Sequence, residues 1–211
     1  PKCQIRCRQD ITSVKKQEGY FEVLSNGETI RAECLMSTIP VQELTQVYDV
    51  PEKIQTHVDG LRYNSIIIAF VKTKEDLSGE NFAFMNPEKD IIFHRISKMD
   101  FLGETYESGS ATYMAEITYR QGDYVDSLSD ETVRERVEEG LQRIGFIRQK
   151  GDMELVNLTR HPYAYVIYDL NHRKNMEQIR EYFGEQGVVL NGRFGNFEYW
   201  NMDRVIRESK R

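Results

Sequence analysis

Cysteine is scarce in this 211-residue sequence: Cys3, Cys7 and Cys34 are all it has. An odd number without a C-x2-C pair supports neither a disulfide framework nor a paired-thiolate zinc signature, so a reduced, cytoplasmic environment is expected. Long apolar runs are missing as well. The stretch from Ser65 to Val71 stops at Lys72, far short of the about 20 residues that span a bilayer, so no membrane span is expected. No basic block runs along the chain, and 28 Lys and Arg stand against 34 Asp and Glu for a net charge of −6. Nucleic acid is therefore not an expected partner. His57, His94, His161 and His172 lack short metal-ligand spacing, and no metal is expected. Neither Ser37-Thr38 nor Ser108-Gly109-Ser110 sits in a G-x-S-x-G elbow, which leaves a serine nucleophile without support.

What is present has an ordinary globular balance, 39% hydrophobic and 29% charged, enough for a packed core. The chain opens Pro1-Lys2-Cys3-Gln4-Ile5, without an initiator Met, and runs at once into alternating β pattern, as a piece of a longer polypeptide would. Strands are expected over residues 11–16, 19–24 and 29–37, the last two joined at Asn26-Gly27, where positive φ is easily adopted. Pro40 closes this meander. Short helices come next over 41–47 and 51–58, the second opened by Pro51.

The middle of the chain returns to β pattern over 65–72, 81–85, 90–96 and 112–119, which predicts an antiparallel sheet. Ser129 is a good N-cap for a helix over 130–144, with Val133, Val137, Leu141 and Ile144 on one face and Gly145 ending it. Strands near 154–158 and 163–168, a helix over 174–183, a short strand at 188–190 and a helix from about Met202 complete the pattern. The fold class is α+β, mainly antiparallel.

One segment stands apart: Asn191-Gly192-Arg193-Phe194-Gly195-Asn196-Phe197-Glu198-Tyr199-Trp200-Asn201-Met202-Asp203. A glycine-flanked arginine followed by aromatics and a new helix can set a guanidinium and a helix start against one anionic ligand. The same residues also suit a plain glycine turn with core aromatics and Asn201 as a cap.

The pattern G-R-F-G-x-F-x-Y-x-N-M-D resembles the last FAD-contacting motif of UDP-galactopyranose mutase and related amine-oxidase-like flavoproteins, including protoporphyrinogen-oxidase-like proteins. The order along the chain agrees. Residues 27–40, ending in Thr38-Ile39-Pro40, resemble the family's strand and Thr-x-Pro turn, while residues 61–65, 93–96 and 164–169 fall where its substrate sheet begins, continues and returns toward the flavin. The resemblance implies three regions: residues 1–58 from an FAD-binding domain, 59–170 as a substrate domain, and 171–211 returning to the FAD-binding domain.

The resemblance also assigns roles. Ile11, Thr38, Pro40, Gly192, Arg193, Asn201, Met202 and Asp203 would contact FAD, and His94, Arg95, Tyr165 and Tyr199 would face a small-molecule substrate. FAD is expected in the intact protein and not on this chain alone, because the family's amino-terminal dinucleotide-binding segment with its G-x-G-x-x-G turn is absent from these residues. One implied function is a mutase acting on a sugar nucleotide in cell-surface polysaccharide (lipopolysaccharide) biosynthesis. A second is an FAD-dependent oxidoreductase of the amine-oxidase or protoporphyrinogen-oxidase type. Tyr165-Val166 where mutases carry Tyr-Pro, and Asn201-Met202 where they carry Asp-Met, depart from the mutase pattern. A non-catalytic binding module is the alternative from another class.

Overall fold

The computed structural model describes residues 3–100, 103 and 108–210, and the chain divides into two compact units. One unit is formed by the chain up to Arg62 together with the chain from Val166 onward; the other is Tyr63–Tyr165.

In the first unit, β1 (Ile11–Lys16), β2 (Phe21–Ser25) and β3 (Glu28–Ala32) form the expected antiparallel meander. Asn26 and Gly27 carry φ of 48° and 82°, the primed-turn geometry that sets Ser25 opposite Glu28. The strand expected over 29–37 is two elements, because β4 (Leu35–Ser37) leaves the meander and pairs in parallel with β10 (Val188–Leu190). Alternation in sequence cannot show that the partner changes partway. Helices α1 (Val41–Val47) and α2 (Glu52–Asp59) begin after Pro40 and Pro51, which act as N-caps with φ of −53° and −60°. They bury Val41, Leu44, Ile54 and Val58, and α4 (His172–Glu185) buries Met176, Ile179 and Phe183. A bond of 3.0 Å between His57 Nδ1 and Asn175 Oδ1 links α2 to α4.

The second unit is a five-stranded antiparallel sheet in the order β6-β7-β8-β5-β9, with β5 Arg62–Thr73, β6 Ala83–Met85, β7 Arg95–Lys98, β8 Ala111–Tyr119 and β9 Met153–Ile167. The period of two divides it into two faces. Ile67, Ala69, Val71, Ile96, Tyr113, Ala115 and Ile117 point one way and form the core with α3 (Asp130–Arg143). That helix lies where the sequence puts it. Ser129 Oγ accepts the Thr132 amide at 3.2 Å, Gly145 leaves the helix at φ 78°, and Val133, Val137 and Leu141 are fully buried. Burying each such side chain is worth about 1.5–3 kcal/mol.

Two expectations for this sheet need correction. The strand expected over 90–96 begins only at Arg95, and the preceding residues form a loop stitched by Asn86, whose Nδ2 donates to the carbonyls of Glu88 and Phe93 at 3.2 and 3.1 Å. Ile91 and Phe93 are core residues nonetheless, so the loop imitates a strand's alternation. The strands expected at 154–158 and 163–168 are one continuous β9. It tolerates Pro162 because an edge strand needs no ladder bond on its outer side.

Gly140 lies inside α3, where alanine would normally be favoured by about 1 kcal/mol. A Cβ there would come within 2.7 Å of Phe93 Cε1 and 3.0 Å of Ile91 Cγ2, both in the core. We expect Gly140→Ala to destabilise the protein by about 1–3 kcal/mol in urea denaturation. Gly184→Ala on α4, where a Cβ meets nothing within 4 Å, should instead gain about 0.5–1 kcal/mol. Equal effects at the two positions would contradict the packing of Phe93.

Candidate functional site

In open α/β sheets, ligands bind beyond the carboxyl ends of parallel strands, at points where the connections to the next elements diverge. In β4 and β10, Ser37 lies beside Leu190, and the Asn191 amide donates to the Ser37 carbonyl at 2.9 Å. The turn Thr38-Ile39-Pro40 and the segment beginning at Asn191 therefore leave the two strands side by side. Short helix α5 (Gly192–Gly195) starts immediately afterwards. Gly192 has φ 77°, and a Cβ on it would lie 3.8 Å from Thr38 Cβ. A Cβ on Gly195 would come within 2.7 Å of the Ser37 carbonyl oxygen, so only glycine permits this backbone approach.

Arg193 folds back over the loop between α5 and the last helix. Its Nη1 donates to the Trp200 carbonyl at 3.3 Å, and its guanidinium carbon lies 4.3 Å from the Tyr199 ring centroid. Residues 196–199 are in turn pinned to α4. His172 Nε2 bonds the Phe197 carbonyl at 2.8 Å, and Arg180 reaches both the Asn196 carbonyl and Glu198 at 2.9 Å. The Tyr199 amide donates to the Tyr168 hydroxyl at 2.7 Å, which itself donates to Glu198 at 2.9 Å. Burial, then the neighbouring Glu198 carboxylate, raises the Tyr168 phenol above its usual 10.0 and keeps it a donor.

Of the remaining residues singled out in this unit, Asn201 caps α6 (Met202–Glu208) without a side-chain bond, and Asn201, Met202 and Asp203 are exposed. Ile11 opens β1 opposite Ser25 and is 44% exposed. Among the described residues, no hydrogen bond joins Ile11 to the turn at Thr38.

In the other unit, His94, Arg95 and Tyr165 come together around a residue that pattern reading missed. Glu116, on central strand β8, is 3% exposed. Arg95 grips it with two bonds, Nε to Oε1 at 2.8 Å and Nη2 to Oε2 at 2.7 Å. The Tyr165 hydroxyl donates to Oε2 at 3.0 Å. His94 Nε2 lies 4.0 Å from the same oxygen, and its ring is edge-on to Tyr165 at 6.5 Å. Burial is the main cause that holds His94 below its ordinary 6.5, Arg95 adds to it, and the opposing pull of Glu116 only partly offsets them. The available signal was a lone glutamate between Ala115 and Ile117 in a strand whose odd positions are all core.

Neither family profiles nor curated proteins match the sequence. Solved structures do. A reduced UDP-galactopyranose mutase matches at 17% identity with a TM-score of 0.75, covering 90% of this chain and 41% of its own. A protoporphyrinogen oxidase assignment from Exiguobacterium sp. 255-15 matches at 17% identity and TM-score 0.71, covering 90% of this chain and 42% of its own. A fatty acid isomerase from P. acnes, described as producing CLA, matches at 13% identity and TM-score 0.72, covering 96% of this chain and 46% of its own. The chain thus spans less than half the length of these structures, and over that span it shares their fold.

Proposed function

We propose that the chain is the flavin- and substrate-contacting part of an FAD-dependent enzyme. The carrying observation is the pair of chain exits at the carboxyl ends of β4 and β10, where Gly195 brings its backbone against the Ser37 carbonyl and Arg193 follows the glycine turn at Gly192. The polar groups nearby fit a ligand rich in donors and acceptors. Ser37 Oγ, both amide atoms of Gln42 and Trp200 Nε1 are buried without a hydrogen-bond partner among the described residues, a costly state that a bound polar ring would relieve.

In this reading Thr38, Pro40, Gly192 and Arg193 hold the cofactor from the two strand ends, Asn201, Met202 and Asp203 meet it at the start of α6, and Ile11 meets its adenine end. The chemistry such a cofactor supplies is hydride acceptance and return. Arg193 contributes a permanent positive charge suited to a diphosphate. Tyr199, under that guanidinium, faces the flavin edge or the substrate. On the substrate side, Glu116 holds Arg95 and Tyr165 in place, and His94 stands beside them as a neutral imidazole near pH 7. The missing wall is a dinucleotide-binding segment of the parent protein. The mutase reading is supported by the fold match to UDP-galactopyranose mutase; the oxidoreductase reading is supported by the departures at Tyr165-Val166 and Asn201-Met202.

In the parent enzyme, Arg193→Ala should weaken FAD binding by about 2–5 kcal/mol, the loss typical of a charge-assisted contact cut from one side. Retention of flavin absorbance after extensive dialysis, equal to that of the parent, would sink the assignment. The 211-residue chain titrated alone by calorimetry should bind FAD only at about millimolar concentration, since each missing phosphate contact removes roughly 1.5–3 kcal/mol.

His94 provides a separate check by NMR titration. With its folded pKa below 6.5, the unfolded chain takes up the proton first as pH falls, so stability rises with pH through the window just below 6.5. Glu116→Gln removes the principal influence that raises the imidazole pKa, leaving burial and Arg95 to lower it further. A His94 that titrates higher in the variant than in the parent would contradict the geometry around Glu116.

A further inference from the structure

The sheet of the second unit has a face turned away from α3, and strand register gives its composition row by row. Met85, Arg95, Glu116 and Ile68 lie in one row; Ala83, Ser97, Met114 and Phe70 lie in the next. Ile66 and Thr118 flank the first row, and Lys72 and Thr112 the second. Arg95 and Glu116 form an ion pair, Ser97, Lys72, Thr112 and Thr118 are polar, and Met85, Met114, Ile66, Ile68, Phe70 and Ala83 make an apolar surface beside the pair. Met85 is 70% exposed.

We propose that this face binds an uncharged, largely apolar small molecule whose single hydrogen-bonding head group meets the Arg95–Glu116–Tyr165 cluster. The proposal rests on the flavoenzyme reading only in calling that molecule the substrate.

Arg95 offers no free charge to a ligand. Its Nε and Nη2 are engaged by Glu116 at 2.8 and 2.7 Å, so the pair is neutral as a unit. A nucleoside diphosphate placed there would bring its charge against the Glu116 carboxylate. Drawing Arg95 away instead would leave a carboxylate only 3% exposed without its counter-ion, which is strongly unfavourable. The other cation in these rows, Lys72, is four residues along β5 from Ile68, about 14 Å away. A neutral head group meets neither obstacle. His94 Nδ1 is buried with no hydrogen-bond partner among the described residues, and a hydroxyl or amide can satisfy an imidazole nitrogen in either tautomer. Beyond the head group, Phe70, Met114 and Ile68 offer a surface on which a hydrocarbon chain or ring gains by leaving water, and Met side chains adapt to its shape.

Met114 and Met85 report on this face directly. The chain would be labelled with 13C-methyl methionine and titrated separately with 1-octanol and with UDP. Saturable shifts of the Met114 and Met85 methyls with octanol, and none with UDP at equal concentration, are expected. Met114→Lys should weaken octanol binding about tenfold or more. Shifts at these methyls with UDP in preference to octanol would overturn the proposal, as would octanol shifts spread alike over all seven methionines. If Met114→Lys fails to fold, the comparison of the two ligands on the parent chain still decides. FAD binding is read at Arg193 in the other unit, so loss of the flavin assignment and loss of this site are distinguishable.

Discussion

A carboxylate placed in the middle strand of a sheet loses its hydration, and the surrounding residues have to replace it. Glu116 is in that position, and its neighbours are chosen accordingly: Arg95 comes from the adjacent strand in direct register, and Tyr165 reaches it from β9. Removing one partner of such a buried pair typically costs about 3–5 kcal/mol, whereas an apolar pair of similar shape would often be neutral or better. Stability alone therefore gives weak reason for an ion pair here. A site that must hold Arg95, Tyr165 and His94 in one arrangement gives a stronger one, because a bidentate guanidinium fixes orientation as well as distance.

The same sheet shows how one period serves two purposes. Odd-numbered residues of β5 and β8 fill the core against α3, while even-numbered residues of these strands face away from it and include Glu116 with Ile68, Phe70 and Met114 around it. A slip of one residue would bury Glu116 in the α3 core and expose Ile117, which is why the register is firmly specified. In the first unit, the corresponding constraint is steric. The parallel pairing of β4 with β10 puts two chain exits next to each other, and the approach of Gly195 to the Ser37 carbonyl leaves no space for a side chain. Arg193 owes its place to this contact and to the bonds from His172 and Arg180 that hold the adjoining loop.

Local signals were legible in the sequence where a single element carries them. Helix α3 could be read from its apolar spacing, its Ser129 cap and its Gly145 stop, and the β2–β3 hairpin from Asn26-Gly27. Signals that depend on partners were not legible. The break between β3 and β4 reflects a change of sheet, the loop before β7 mimics a strand because Ile91 and Phe93 alternate into the core, and β9 crosses Pro162 because it is an edge. His94, Arg95 and Tyr165 are implied by the family resemblance, but the residue that joins them is not. A lone glutamate in an alternating strand reads as solvent-facing, and only the cross-strand register reveals that Arg95 lies opposite it.

Fold likeness at 17% identity carries the architecture, but the chemistry of a site depends on individual side chains set on that architecture. The sheet that would meet a substrate illustrates the difference. An arginine on it could be taken as a phosphate ligand from its position alone, yet the same arginine, held through two bonds by a buried carboxylate, presents no net charge. What distinguishes the two cases is the residue across the strand. Charge balance within the Arg95–Glu116 pair is a property of this chain's own side chains, whereas the structural neighbours share one backbone arrangement while their described activities include a mutase, an oxidase and a fatty acid isomerase.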